Sequence, residues 1–72
     1  MAETNTVTIK GEFITLGQLL KEAGIIPTGG AAKWYLKDHS VVVNGQDENR
    51  RGKKLRSGDT VVIPDQGQWT IK

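Results

Sequence analysis

Residues 28–45 read TGGAAKWYLKDHSVVVNG. A Gly-Gly pair leads into a helical spacing, which gives way without a linker to three valines and an Asn-Gly pair. Ala32, Tyr35, Leu36 and His39 recur at intervals that place them on one helical face, while Lys33 and Lys37 share another, one turn apart. The spacing predicts a helix that starts at Thr28 or Gly29 and runs to about Asp38. Val41–Val43 then reads as a strand. Asn44-Gly45 is a strong signal for a two-residue hairpin, because both turn positions require positive φ. The return arm, Gln46–Asn49, is polar and predicts only brief pairing.

Upstream, Val7 and Ile9 alternate with Thr6, Thr8 and Lys10, the signature of a strand with one buried face that ends at Gly11. Thr15 followed by Gln18 predicts a capping box, with Ile14 placed to staple onto Leu19. Leu16, Leu19, Leu20 and Ala23 form one helical face, and Gly24 is the natural stop. Pro27 turns Ile26 out of the helical region, so 25–28 reads as an extended connector. Downstream, Leu55 is the lone apolar residue in a basic run and is expected to anchor it. Ser57-Gly58 turns the chain, Thr60–Ile63 is a strand, residues 64–67 make a tight turn, and Trp69 and Ile71 alternate in a last strand. The expected class is α+β: two consecutive helices packed on a small, mostly antiparallel sheet of three to five short strands.

Seventy-two residues bound the function as well as the fold. One domain, 1–72, is expected, burying about 60% of the surface of its unfolded chain and leaving little room for a deep enzymatic cleft. The absence of cysteine removes disulfides and thiolate metal sites, and a single histidine, His39, makes no metal site alone. A helix-end role suits His39 better than that of a general base, and no nucleophile–base pair or paired-carboxylate motif is present. No cofactor, metal or membrane partner is expected. No apolar run approaches the ~20 residues of a membrane span, and the segment 1–10 lacks the basic start and apolar centre of a secretory leader. A monomeric cytoplasmic protein is the expectation.

Charge is distributed unevenly. Residues 33–56 carry Lys33, Lys37, Arg50, Arg51, Lys53, Lys54 and Arg56 against Asp38, Asp47 and Glu48, a local +4, whereas the rest of the chain sums to −2. Arg50, Arg51, Lys53, Lys54 and Arg56 pack five cations into seven residues around Gly52. Like charges this close repel one another, which points to a surface that meets phosphates rather than to a merely solubilising loop. Thr28-Gly29-Gly30 at the mouth of a helix offers unpaired amides, a partial positive charge and room for an anion to approach; the same glycines would equally serve close helix packing. Lys33 and Lys37 extend the positive stripe along the helix. Trp34 reads either as a platform for a stacked base or as a packed residue beside the core face, and the packed reading is favoured. Asn49 either donates to a base or shapes the loop.

The order helix, connector, helix, VVVNG, basic loop and SGDTVVI resembles the S-four-type RNA-binding domain, whose core is the alpha-L motif. On that pattern Thr28 takes a serine position, Ala32 an alanine and Lys33 the second basic position. Tyr35 and Leu36 take an apolar pair, Val41, Val43, Asn44 and Gly45 the strand and turn, and Gly58 and Asp59 a Gly-Asp pair. The resemblance covers about 14–63, and GGAAKWYL with ENRRGKKL resembles small stand-alone bacterial members. It implies recognition of structured RNA, ribosomal or transfer, by shape and backbone. Gly29 stands where the family has an arginine, which shifts the load to the basic loop. His39 stands where it has a helix-ending glycine, a poor residue for a left-handed cap. The implied site joins Thr28, Gly29, Gly30, Lys33 and Lys37 to Asn49, Arg50, Arg51, Lys53, Lys54 and Arg56.

TLGQLLKEAGI, VVVNG and LRSGDTVVI also resemble a β-grasp sulfur carrier. Such carriers act through a C-terminal Gly-Gly, whereas this chain reads Trp69-Thr70-Ile71-Lys72, and their exposed loops tend to be acidic. An adaptor that docks on the ribosome is a third reading, compatible with RNA binding.

Overall fold

The computed structural model describes residues 4–72; the first three residues, part of the segment read as carrying no leader, lie outside the described residues. Seven short strands and two helices follow one another: β1 (Thr4–Val7), β2 (Ile14–Thr15), α1 (Leu16–Glu22), α2 (Ala31–Asp38), β3 (Val41–Val43), β4 (Gln46–Glu48), β5 (Lys54–Leu55), β6 (Thr60–Ile63) and β7 (Gly67–Ile71). Five strands form one sheet in the order β1-β7-β6-β3-β4, and β2 with β5 forms a separate two-stranded ribbon. All pairings are antiparallel except β1 with β7. The expected α+β class is the observed one.

Alternation along the strands sorts the sheet into two faces. Val41, Val43, Val61, Ile63, Trp69 and Ile71 point inward and are buried with Leu16, Leu19 and Leu20 of α1 and Ala32 and Leu36 of α2. Val62, on the outward face, is exposed. Leu55 is fully buried, so the basic segment is pinned to the core by its one apolar side chain, as expected.

The local signals act as the sequence predicts at α1. The Thr15 hydroxyl accepts from the Gln18 amide (3.3 Å) and the Gln18 side chain accepts from the Thr15 amide (3.1 Å), completing the capping box. At the other end Gly24 has φ 77°; its amide donates to Lys21 (3.0 Å) and that of Ile25 to Leu20 (2.9 Å), the paired bonds of a Schellman stop. Asn44 (φ 52°) and Gly45 (φ 85°) form the expected hairpin turn between β3 and β4. The Asn44 side chain also spans to the neighbouring turn: its Nδ2 donates to Asp59 (3.1 Å) and its Oδ1 accepts from the Thr60 amide (3.0 Å). Asp59 in turn accepts from the Arg56 amide (2.7 Å). The Asn-Gly and Gly-Asp pairs thus lock two adjacent turns together.

Three expectations need correction. α2 starts at Ala31, not at Thr28 or Gly29. Two successive glycines lose too much backbone freedom to start a helix, and residues 28–31 instead form a turn in which Thr28 O accepts from Ala31 N (3.1 Å). β1 ends at Val7, although Ile9 N still donates to Lys72 O (2.9 Å), which extends the contact with β7. His39 closes α2 with extended backbone (φ −135°, ψ 121°), its amide bonded to Tyr35 O (2.8 Å). No left-handed residue is needed there, so a glycine is dispensable.

Candidate nucleic-acid interface

The basic loop is a structural partner of α1, held by its backbone. Lys53 O accepts from the Leu16 amide (2.8 Å) and Arg51 O from the Gly17 amide (2.9 Å). With Thr15 capping Gln18, the first three amides of α1 are all satisfied. Two carbonyls of the loop therefore face the helix end, while Arg50, Arg51, Lys54 and Arg56 are exposed. The ribbon of β2 and β5 reinforces this, pairing Thr15 with Lys54 and Ile14 with Leu55.

Gly17 permits the approach. A Cβ at this position would lie 3.3 Å from the Ala32 Cβ, 3.4 Å from Arg51 O and 3.5 Å from the Arg51 Cβ. α1, α2 and the loop thus meet at a point where any side chain would be crowded. Sequence reading passed over Gly17; the available signal was an isolated glycine inside an otherwise leucine-rich helical pattern.

The same junction brings Gly29, from the helix side of the expected site, together with Arg51 of the loop. Thr15, Gly17, Gln18, Gly29, Arg51 and Gly52 line one shallow depression of about 270 Å³. Gly52 also borders a second, of about 400 Å³, lined by Arg50, Lys53, Lys54 and Arg56. The amino end of α2 and the cationic loop lie on one continuous surface. The α2 end keeps some of its donors: Gly30 caps it without a side-chain bond, Ala31 and Ala32 donate to Thr28 O and Gly29 O, and among the described residues neither the Gly29 nor the Gly30 amide donates to a backbone carbonyl. Thr28, Gly29 and Gly30 are exposed, as are Lys33 and Lys37 further along the helix.

The loop cations are not equivalent. Arg50 is engaged by Glu48 through two bonds, Nε to Oε2 (3.0 Å) and Nη2 to Oε1 (3.2 Å). Glu48 also accepts from the amides of Asn49 and Arg50 (3.2 Å each). The side-chain hydrogen bond from Arg50 leads the effects that hold the Glu48 carboxyl below its ordinary value, and the same bond raises Arg50. Lys54 sets its ammonium 4.9 Å from the centre of the exposed Phe13 ring. Lys53 is half-buried; Arg51 and Arg56 are exposed. Asn49 is exposed and borders neither depression. Trp34 overturns the packed reading: it is 61% exposed, because it follows Ala32 by two residues and so projects almost opposite to the buried face.

A family model described as an S4 domain matches residues 7–72. The chain belongs to the S4 domain family, the RNA-binding class that its motifs resemble. It is similar, nearly end to end, to the probable ribosome maturation protein RlbA of Bacillus subtilis (strain 168): 49% identity over 67 residues, which span 93% of this chain and 94% of that protein. It is also similar to the tyrosine–tRNA ligases of Burkholderia lata and Burkholderia thailandensis, each 33% identical over 57 residues. Those 57 residues are 79% of this chain but only 14% of each ligase. No helix among the described residues is long and apolar enough to cross a membrane.

Proposed function

We propose that this chain is a single-domain, non-catalytic, monomeric RNA-binding protein of the bacterial cytoplasm that grips the backbone of structured ribosomal or transfer RNA. One observation carries the reading: Gly29 and Arg51 share a depression that runs, through Gly52, into the cluster of Arg50, Lys53, Lys54 and Arg56. In this reading Arg51, Lys53, Lys54 and Arg56 hold successive phosphates, with Arg50 joining once it leaves Glu48. The amides at Gly29 and Gly30 meet a further phosphate, and Lys33 and Lys37 continue the track along α2. Asn49, outside both depressions, shapes the loop. A ribosomal partner is supported by the end-to-end likeness to a probable ribosome maturation protein.

The test is a filter-binding titration against a pool of folded ribosomal and transfer RNA. Replacing Arg50, Arg51, Lys53 and Lys54 together by alanine is expected to abolish binding at about 0.15 M salt while the protein stays folded, as far-ultraviolet dichroism checks: the exposed positions 50, 51 and 54 each cost within about 0.5 kcal/mol, and only the half-buried Lys53 loses some packing. Lys33→Glu is expected to weaken binding more than Lys21→Glu, which lies on α1. Full affinity in the quadruple variant would refute the site, and equal effects at positions 33 and 21 would reduce it to bulk charge.

A further inference from the structure

Trp34 is the feature that phosphate binding leaves unexplained. An indole is the largest apolar side chain, and this one leaves most of its surface in water rather than in the core. It shares the outward stripe of α2 with Gly30, Lys33 and Lys37, which fall within about 100° of one another around the helix axis. The Lys33 and Lys37 ammonium groups each lie 5.6 Å from the centre of the Trp34 ring, within cation–π range. The ring is thus flat, exposed and bracketed by two cations, on a stripe that begins at the α2 end bordering the basic depression.

We propose that Trp34 is a stacking platform for one unpaired base of the bound RNA, with Lys33 and Lys37 taking the phosphates on either side of that nucleotide. The inference rests on the RNA-binding reading and narrows it: the ligand is a folded RNA that presents an unstacked base, in a bulge or loop, beside the backbone gripped by the loop. The chemistry is matched. Every base has a π-face that an indole accepts whatever its sequence. A base extruded from a helix carries its own two phosphates outward, where the ammonium groups now over the ring can follow them. A regular duplex presents only stacked bases and sugar–phosphate edges, for which an indole has no use. A protein partner would be expected to meet the ring with an apolar or acidic surface, and the two lysines admit only the second. The neighbouring run of loop cations favours a polyanion with regular spacing.

Three synthetic probes separate the possibilities: an RNA hairpin with one bulged adenine, the same hairpin with an abasic residue in the bulge, and the uninterrupted hairpin. Each is titrated at low salt against the wild type, Trp34→Ala and Trp34→Phe. The wild type is expected to prefer the bulged adenine over the abasic probe by about 5- to 150-fold, the range that stacking of one base on an aromatic ring supplies. Trp34→Ala should erase that preference and leave uninterrupted-hairpin affinity within about 2-fold, and Trp34→Phe should retain part of it. Binding should also quench the emission of Trp34, which a Trp69→Phe variant isolates; unchanged far-ultraviolet dichroism certifies the fold of every variant. Equal affinity of the wild type for the bulged and abasic probes, or a Trp34→Ala variant that keeps the preference, overturns the platform and assigns the ring to a protein contact, while RNA binding stands. Failure of the wild type to bind any of the three overturns both.

Discussion

Glu48 is the residue whose chemistry most directly opposes the proposed activity. It holds Arg50 in a bidentate pair and is itself steadied by two backbone amides. An incoming phosphate must compete with a carboxylate already in place. Glu48→Gln is therefore expected to raise RNA affinity severalfold, and to steepen the dependence of log K on log salt by about 0.7–0.9, the value of one added phosphate contact; titration at three salt concentrations checks both. Acid acts in the same direction only well outside neutrality. Because Arg50 lowers the carboxyl's folded value, the pair contributes fully above the usual glutamate range and is lost only as pH falls through the depressed value. The pair is thus constant across the physiological range and is no pH switch. It was not legible beforehand: Glu48 was expected in a plain polar return arm and Arg50 in the phosphate-binding loop, and only the end of β4 brings their side chains together.

At the scale of elements, the seam where α1, α2 and the loop meet sets the geometry of the whole surface. Its tightness is the absence of a side chain at Gly17. Gly17→Val is expected to push Arg51 and Ala32 apart and to destabilise by about 1–3 kcal/mol, the usual cost of overpacking. Its effect on RNA affinity should exceed that of a distant core truncation of equal cost, because the loop and the α2 end move relative to each other; urea unfolding and the same filter assay compare them. The elements themselves were readable wherever the determinant is local. The Thr15–Gln18 box, the Gly24 stop, the valine strand and the Asn44-Gly45 turn each depend on residues within a few positions of one another. The ribbon of β2 and β5 was not readable, because two-residue strands carry no periodicity and their pairing joins Ile14 to Leu55 across some forty residues. The start of α2 was misplaced because the glycines were weighed as an anion cradle or a close helix contact and not for what they cost a helix. Trp34 was misjudged because Tyr35, the residue after it, packs against the core while Trp34 does not.

For the molecule as a whole, charge matters by where it lies. The loop and α2 concentrate positive charge in a chain whose remaining residues sum to −2. Four or five phosphate contacts on one face predict a slope of log K against log salt of about −3 to −4. A slope near −1 would mean that the loop barely engages; one beyond about −4.5 would require contacts from outside it, such as Lys33 and Lys37. Family membership and the near end-to-end likeness to a probable ribosome maturation protein agree with the RNA-binding class.

The pairing of β1 with β7 sets how the protein bears load. The two strands run parallel, and Lys72 exchanges bonds with Val7 O and Ile9 N (2.9 Å each). Traction on the amino end of β1 and the carboxyl end of β7 slides one strand along the other, so the bonds between them are strained together and not peeled in succession. Tension applied between those two ends meets a clasp that resists shear.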